Sequence, residues 1–219
     1  MANLSVQRWL ILCVMLALTA GFAVQVMVFD HAFLYGENEL MEHVQLFILA
    51  VVGYVFFAQG RQPFWQAVPA LRLLTYAAVA LCVSFIVREM SVKATGIDWL
   101  IFIVDGQGFK LLMVLMWLPL LVKAFAYRSQ YFNIVKQAIV SPTALYLMAA
   151  IGCLLAGALF DKEIIVVEYF RFYEEVLEMN GYGFMLVAAI HFHKDVFSAA
   201  CDNCLGEIDD NCYHALPLQ

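Results

Sequence analysis

Hydrophobic residues are concentrated in six stretches of the chain, which shorter polar segments separate. A helix that crosses the roughly 30 Å hydrocarbon layer of a bilayer needs about 20 mostly apolar residues, because its backbone polar groups must be satisfied internally. The pattern therefore predicts an all-α polytopic membrane protein, with a bundle of about six transmembrane helices in residues 1–194. The predicted spans are residues 9–29, 44–58, 71–87, 111–127, 143–160 and 176–192.

The composition favours the same environment. Of the 219 residues, 64% are hydrophobic and 14% are charged, whereas soluble domains contain about 25% charged residues. The lipid bilayer is the expected partner, together with other membrane proteins or further copies of the chain. The 12 Lys and Arg residues are scattered and the formal charge is −6. Because binding to nucleic acid needs clustered basic residues, no nucleic-acid partner is expected.

Acidic and basic residues separate between the two sides of the predicted bundle. If the six helices alternate, all thirteen acids before residue 195 lie on one side of the bundle. All charged residues on the other side, up to residue 194, are basic. Lys and Arg beside short loops mark the cytoplasmic side. Both termini are therefore predicted to be cytoplasmic, including a cysteine-containing tail of residues 195–219. The basic residues of this side are Arg8, Arg61, Arg72, Lys123, Arg128, Lys136 and Lys194.

Polar side chains form stripes where three of the predicted helices meet the acidic side. Glu42 and Gln45 share one face of the second helix, Arg88 and Glu89 end the third, and acids recur every three or four residues at the start of the sixth. Charges in membrane helices need partners, because each costs about 2.5–3.5 kcal/mol at the bilayer centre. The stripes are therefore predicted to form one outward-facing ligand-binding site. Its predicted residues are Glu42, Gln45, Arg88, Glu89, Ser91, Glu174, Glu175 and Glu178.

The predicted site has three interpretations. Crowded carboxylates in a low dielectric need compensation, so the site is expected to bind a cation or a polar ligand. One candidate is a divalent metal such as zinc, bound by Glu39, Glu42 and His43. The Glu-x-x-His pattern of di-iron proteins is absent, however, because position 40 is Leu. In the third interpretation, which involves neither a cation or polar ligand nor a metal, the Arg and Glu side chains only stabilise the bundle.

Each interpretation implies a class of function. A site for a cation or polar ligand indicates transport, sensing or an accessory-subunit role. A metal at Glu39, Glu42 and His43 indicates a membrane-embedded hydrolase acting on lipid, in which a glutamate of residues 174–178 acts as general base. A purely structural network indicates a subunit of a membrane complex. The sequence identifies no catalytic residue, so whether the protein is an enzyme stays open.

A polar interruption, Asp-Gly-Gln-Gly at residues 105–108, separates the apolar residues 99–104 from the fourth helix. Two glycines beside polar residues favour the end of a helix. The preceding segment is either a re-entrant or interfacial half-helix whose irregular backbone lines a cavity, or an interfacial loop anchored by Trp99. Both interpretations place residues 105–108 at the outer side, next to the predicted site.

The C-terminal tail contains a second set of candidate metal ligands. Three thiols and one imidazole can complete a tetrahedral zinc site, and thiols in the cytoplasm stay reduced. The alternative is an unstructured tail with free or lipid-modified cysteines, and an inverted orientation would favour a disulfide. His191 and His193, two residues apart, project from different sides of the sixth helix and are predicted to be interfacial. The candidate tail ligands are Cys201, Cys204, Cys212 and His214.

The motifs "ENELMEHVQ", "REMS" and "YEEVLE" occur in this order along the chain. In this respect the protein resembles a group of uncharacterised multi-pass bacterial inner-membrane proteins, which carry an E-x-x-Q, an R-E-x-S and an E-E-x-x-E in the same order. The resemblance covers about thirty residues and implies a location in the bacterial inner (plasma) membrane. It implies no activity, and the cysteine tail departs from the pattern.

Overall fold

The computed structural model describes residues 4–31, 34–35, 39–67, 69–90, 92, 96–129, 131 and 139–204. These residues are mostly helical and include no strand, which confirms the predicted all-α class. Five of the described helices are long and apolar enough to cross a membrane. In chain order the helices are α1 (Leu4–Met27), α2 (Leu40–Gly60), α3 (Pro63–Ala67), α4 (Pro69–Glu89), α5 (Asp98–Val104), α6 (Gln107–Ala126), α7 (Pro142–Asp161) and α8 (Phe170–Cys204).

The six long helices all begin before their predicted hydrophobic spans, because charged and polar residues can continue a helix. α8 begins six residues before its predicted span and continues to Cys204, past the predicted boundary at residue 194. At the start of α7, the Ser141 hydroxyl accepts a hydrogen bond from the backbone N–H of Ala144, and Pro142 occupies the first turn. Both features are typical of helix starts. Hydropathy therefore locates the helices, and local chemistry sets their ends.

α8 lies at the centre of the bundle and packs against α7, α2 and α1, whereas α4 packs between α2 and α6. The core includes Leu49 and Val52 of α2 and Met179 and Tyr182 of α8, all of them fully buried. Between helices in a bilayer, such side chains stabilise the bundle through close van der Waals packing and not through removal of apolar surface from water. The most polar of the long helices is therefore also the most enclosed one.

Two glutamines, one near each end of α2, bind α8. Gln45 Nε2 donates to the carbonyl oxygen of Glu175 (3.0 Å), and Gln59 Nε2 donates to that of Ala189 (2.7 Å). Both pairs are separated by 14 residues along their helices, so α2 and α8 run parallel and in register over roughly 21 Å. α8 therefore covers the same depth as α2. Its own composition is too polar for it to be among the five apolar helices.

α1 and α7 run antiparallel to α8. The Asn180 side chain donates to the Thr19 hydroxyl (2.9 Å), and Met15, which precedes Thr19 on α1, contacts Gly183, which follows Asn180 on α8. On the other side of α8, Gly157 lies against Glu178, while Thr143 binds Asp195. This order divides the bundle into an acidic end, which contains the starts of α2 and α8, and a basic end, which contains the starts of α1 and α7. The orientation of these ends relative to the cytoplasm stays a prediction.

Residues 98–104 form a short helix, as the first interpretation expects, and the part of that interpretation in which the segment lines a cavity stays a prediction. α5 ends at Val104, and a Cβ atom at Gly108 would lie 2.7 Å from the carbonyl oxygen of Phe102, so only glycine allows this close turn into α6. Asp105 Oδ2 accepts a hydrogen bond from the backbone N–H of Val92 (3.0 Å). Trp99 is exposed, as the interfacial alternative also expects. None of the α5 residues is buried.

Candidate ligand-binding site

Polar side chains from α2, α4 and α8 meet inside the acidic end of the bundle. Gln45 and Tyr182 are fully buried, and Glu175 and Glu178 are only 5% and 4% exposed. Charged residues are rarely buried unless they are paired, so the burial of these carboxylates makes the group a candidate functional site. We call it the acidic cluster. Its members are Gln45, Arg88, Glu89, Glu175, Glu178 and Tyr182.

Arg88 connects α4 to α8. Its Nη2 lies 2.6 Å from Oε1 of Glu178 and 2.7 Å from Oε1 of Glu89, and its Nε donates to the same Glu89 oxygen at 2.9 Å. The Arg88 side chain is about half exposed, whereas both carboxylates are largely buried. A guanidinium carries several donors in a fixed plane, which lets one arginine neutralise two carboxylates at once.

Tyr182 closes the cluster on the inner side. Its hydroxyl donates to Oε1 of Glu89 (3.1 Å), and its ring packs against Phe85 with 5.6 Å between ring centroids. Phe85 also lies beneath the Arg88 guanidinium, 5.9 Å from ring centroid to Cζ. Tyr182 was not among the predicted ligand-binding residues. Its spacing of four residues from Glu178 is the signal that identifies it, because such residues share a helix face.

Glu175 is bound by Gln45. Gln45 Nε2 donates to Oε2 of Glu175 at 2.7 Å, in addition to its bond to the Glu175 carbonyl. Since both of these atoms are acceptors, the amide must present its NH₂ group to them. Gln45 Oε1 is buried and has no hydrogen-bond partner among the described residues. The amide therefore fixes the carboxylate and leaves one acceptor atom unused.

The acidic cluster carries more negative than positive charge. One guanidinium faces three carboxylates, those of Glu89, Glu175 and Glu178, which leaves a formal charge of −2. Within the described part of the chain, no salt bridge reaches Glu175. The charges that act most strongly on it are carboxylates as well. They belong to Glu42, Glu178, Glu174 and Glu89.

The other predicted site residues lie at the edge of the cluster or outside it. Glu42 and Glu174 are partly buried, close enough for their charges to act on Glu175. Glu39 precedes α2, and His43 is exposed and hydrogen-bonds through Nδ1 to the Glu39 carbonyl oxygen (2.7 Å). His43 therefore does not join the cluster. Ser91 lies outside the described residues.

Neither predicted metal site gains support. No group of three or more His, Cys, Asp and Glu side chains suits a metal ion within the residues that the structure describes. In the tail, the backbone of Cys201 and Cys204 belongs to α8, but the side chains of both lie outside the description, as do Cys212 and His214 entirely. Cys13, Cys82 and Cys153 are free thiols.

The fold and the cluster together define a class, the polytopic all-α membrane proteins with buried charges inside the helix bundle. No family model matches the chain, and no curated protein or solved structure is significantly similar to it. The resemblance to uncharacterised bacterial inner-membrane proteins, and with it the bacterial location, therefore stays a prediction.

Proposed function

We propose that this membrane protein binds a proton or a small monovalent cation in the acidic cluster, with Glu175 as the acceptor. Transport, sensing or an accessory-subunit role are the activities that such a site serves. One observation carries the proposal: Glu175 is buried among other carboxylates, while the Arg88 guanidinium binds Glu89 and Glu178 instead.

The charge of the cluster gives the physical reason. Transfer of an ionised carboxylate from water into a low-dielectric interior costs several kcal/mol unless a positive charge lies beside it. Arg88 supplies one positive charge for three carboxylates. A proton on Glu175, or a monovalent cation beside it, offsets part of the remaining charge at once. The native protein therefore gains stability from binding either ligand.

Gln45 supports a cation more than an anion or a neutral ligand. Its NH₂ group holds Glu175 in place, and its buried Oε1 is a neutral oxygen without a partner among the described residues. Carboxylate and amide oxygens are preferred ligands of hard cations. An anion in the same place would face further carboxylates, which would repel it.

The hydrolase alternative has less support from the geometry. It needs Glu39, Glu42 and His43 to converge on one ion, and the His43 ring is exposed and bonded to its own helix start. The structural alternative is favoured by a specific contact, because the bonds of Arg88 join α4 to α8. A protein with this function would need the acidic cluster for stability and would bind no ligand there.

Thermal unfolding of the purified protein distinguishes these proposals. We expect the wild type to gain stability as the pH falls or as Na⁺ or K⁺ is added, by up to about 1.4 kcal/mol per tenfold rise in ligand above its Kd. Glu175→Gln should weaken this dependence, because the amide has a similar shape and cannot take up the proton or bind the cation by charge. Glu168→Gln is the matched control, since Glu168 is an exposed acid at the same end.

The control variant should keep the response of the wild type. An unchanged response in Glu175→Gln would contradict the assignment of Glu175. If the wild type itself responds neither to pH nor to Na⁺ and K⁺, and Arg88→Ala only lowers stability, the structural alternative replaces the cation site.

A further inference from the structure

A second group of polar side chains lies at the basic end of the bundle, away from the acidic cluster. His191 of α8 is 8% exposed, and its Nε2 is buried without a hydrogen-bond partner among the described residues. The ring of Tyr146 from α7 stacks on it, with 6.2 Å between centroids and 25° between planes. The stacking holds the imidazole in one orientation, so its free nitrogen has a fixed position.

The packing of α1 against α8 places Arg8 beside His191. Thr19 bonds to Asn180 and Met15 contacts Gly183, so the two helices run antiparallel with a known register. Arg8 lies two helical turns before Met15 on α1, and His191 lies about two turns after Gly183 on α8. The antiparallel packing therefore brings Arg8 and His191 to the same level. The charge of Arg8 acts on the His191 ring. The Nε atom of Arg8 is also buried and has no hydrogen-bond partner in the described part of the chain.

Two further charges complete this group, which we call the basic pocket: Arg8, His191, Lys194 and Asp195. Lys194 is exposed, and its charge and that of Asp195 both act on His191. The Asp195 carboxylate is already engaged, because its Oδ2 accepts from the backbone N–H (3.0 Å) and the hydroxyl (2.7 Å) of Thr143. Two basic side chains and one acid leave a formal charge of +1, together with two buried nitrogens for which the described residues supply no hydrogen-bond partner.

The position of the basic pocket indicates which kind of hydrogen-bond acceptor it binds. Arg8 lies over the Trp9 ring (5.4 Å from Cζ to the centroid), and Trp9 is exposed at the start of a helix that is apolar enough to span a membrane. Tryptophan is enriched at the level of lipid headgroups. Basic pockets between helix ends at this level bind anionic headgroups.

We propose that the basic pocket binds a phosphate group, either that of an anionic lipid headgroup or free phosphate. Arg8 and Lys194 supply the charge, and the Nε2–H tautomer of His191 supplies a directed hydrogen bond. The proposal is independent of the cation site, because it concerns other residues at the opposite end of the bundle.

Lipid binding to the purified protein tests the proposal, with native mass spectrometry and thermal stabilisation as readouts. The probes are phosphatidylglycerol, zwitterionic phosphatidylcholine and inorganic phosphate. Phosphatidylglycerol should bind and stabilise the wild type more than phosphatidylcholine does. A response to phosphatidylglycerol alone identifies a lipid as the source, and an equal response to inorganic phosphate identifies the free anion. No preference for either anionic probe over phosphatidylcholine overturns the proposal.

Variants locate the binding. Lys194→Gln, an exposed position that leaves the fold intact, and Arg8→Gln should each weaken phosphate binding about fivefold, the effect typical of one basic charge near a headgroup. His191→Phe should also weaken it while keeping the stack on Tyr146. Arg61→Gln is the matched control, since Arg61 is exposed at the same end and lies over Phe57. An equal loss in Arg61→Gln and Lys194→Gln would show unspecific surface attraction and overturn the assignment.

Discussion

α8 and α6 distribute polar and apolar residues in opposite ways. α8 buries the carboxylates of Glu175 and Glu178 inside the bundle. In the most apolar window of α6 no residue is buried, and Leu115, Leu118 and Val122 are each more than half exposed. In water this arrangement would be unfavourable on both helices. In a bilayer the lipid covers the exposed apolar side chains, and the charges are stable only where other helices enclose them.

The difference between α8 and α6 indicates which helix contacts stabilise the bundle. α6 contacts mainly α4 and α5, and one polar link to α4 is the hydrogen bond from Trp117 Nε1 to the Ser84 hydroxyl (3.0 Å). α8 contacts three long helices through close packing and through hydrogen bonds such as those of Gln45 and Asn180. Substitutions in the contacts of α8 should therefore cost much more than substitutions on the outer face of α6.

The largest loss is expected for Arg88→Ala. Removal of the guanidinium leaves Glu178 buried without its partner, and we expect the free energy of unfolding to fall by about 3 kcal/mol, the lower end of the range for buried pairs because Arg88 is half exposed. Denaturant titration in mixed micelles measures the change. Lys162→Ala is the control, because it breaks an exposed pair with Asp161 and should change stability by under about 1 kcal/mol. Equal losses of stability in both variants would contradict the expected difference between the buried ion pair and the exposed one.

A smaller loss is expected for Gly157→Val in α7. A Cβ atom at Gly157 would lie 3.2 Å from Cγ of Glu178, which Arg88 holds in place, so overpacking should cost about 2 kcal/mol. Gly152→Val is the matched control on the same helix, because a Cβ there would meet no atom within 4 Å apart from the local backbone of α7, among the described residues. If Gly152→Val is as destabilising as Gly157→Val, the loss comes from helix propensity and not from the contact with α8.

The smallest change is expected for Leu115→Ala on α6. This side chain is 63% exposed and touches lipid rather than protein, so the free energy of unfolding should change by less than about 0.5 kcal/mol. The same denaturant titration applies. A loss above about 2 kcal/mol, as for buried leucines, would mean that another protein surface covers this face of α6.

The hydrophobic pattern was sufficient to predict the six long helices, because spanning segments need long apolar runs, but it did not predict the short helix α3. It placed the start of α8 too late, since Arg171, Glu174 and Glu175 interrupt the apolar run although they continue the helix. Their spacing of three and four residues contains the missing information. The helix at residues 98–104 was expected by one of two alternatives, and the close approach of Gly108 to Phe102, which forms the turn into α6, was not predictable from the hydrophobic pattern.

The acidic cluster was partly predictable for the same reason. The sequence indicates which helix ends carry charges, and alternation of the helices brings Arg88, Glu175 and Glu178 to one end. It does not determine the rotation of each helix about its axis. His43, one residue after Glu42 and two before Gln45, therefore shared the predicted metal site, but α2 turns Gln45 inward and leaves His43 exposed. Tyr182 became part of the site through the position of Glu89 on another helix.

The two glutamines of α2 limit how the bundle can move. Gln45 and Gln59 hold carbonyl oxygens of α8 that are 14 residues apart, so a sliding motion of α8 along α2 would break both hydrogen bonds at once. A tilt about one end needs only the other bond to open. A conformational change that exposes Glu175 is thus expected to tilt α8 about its contact with Gln59, and not to translate α8 along its axis.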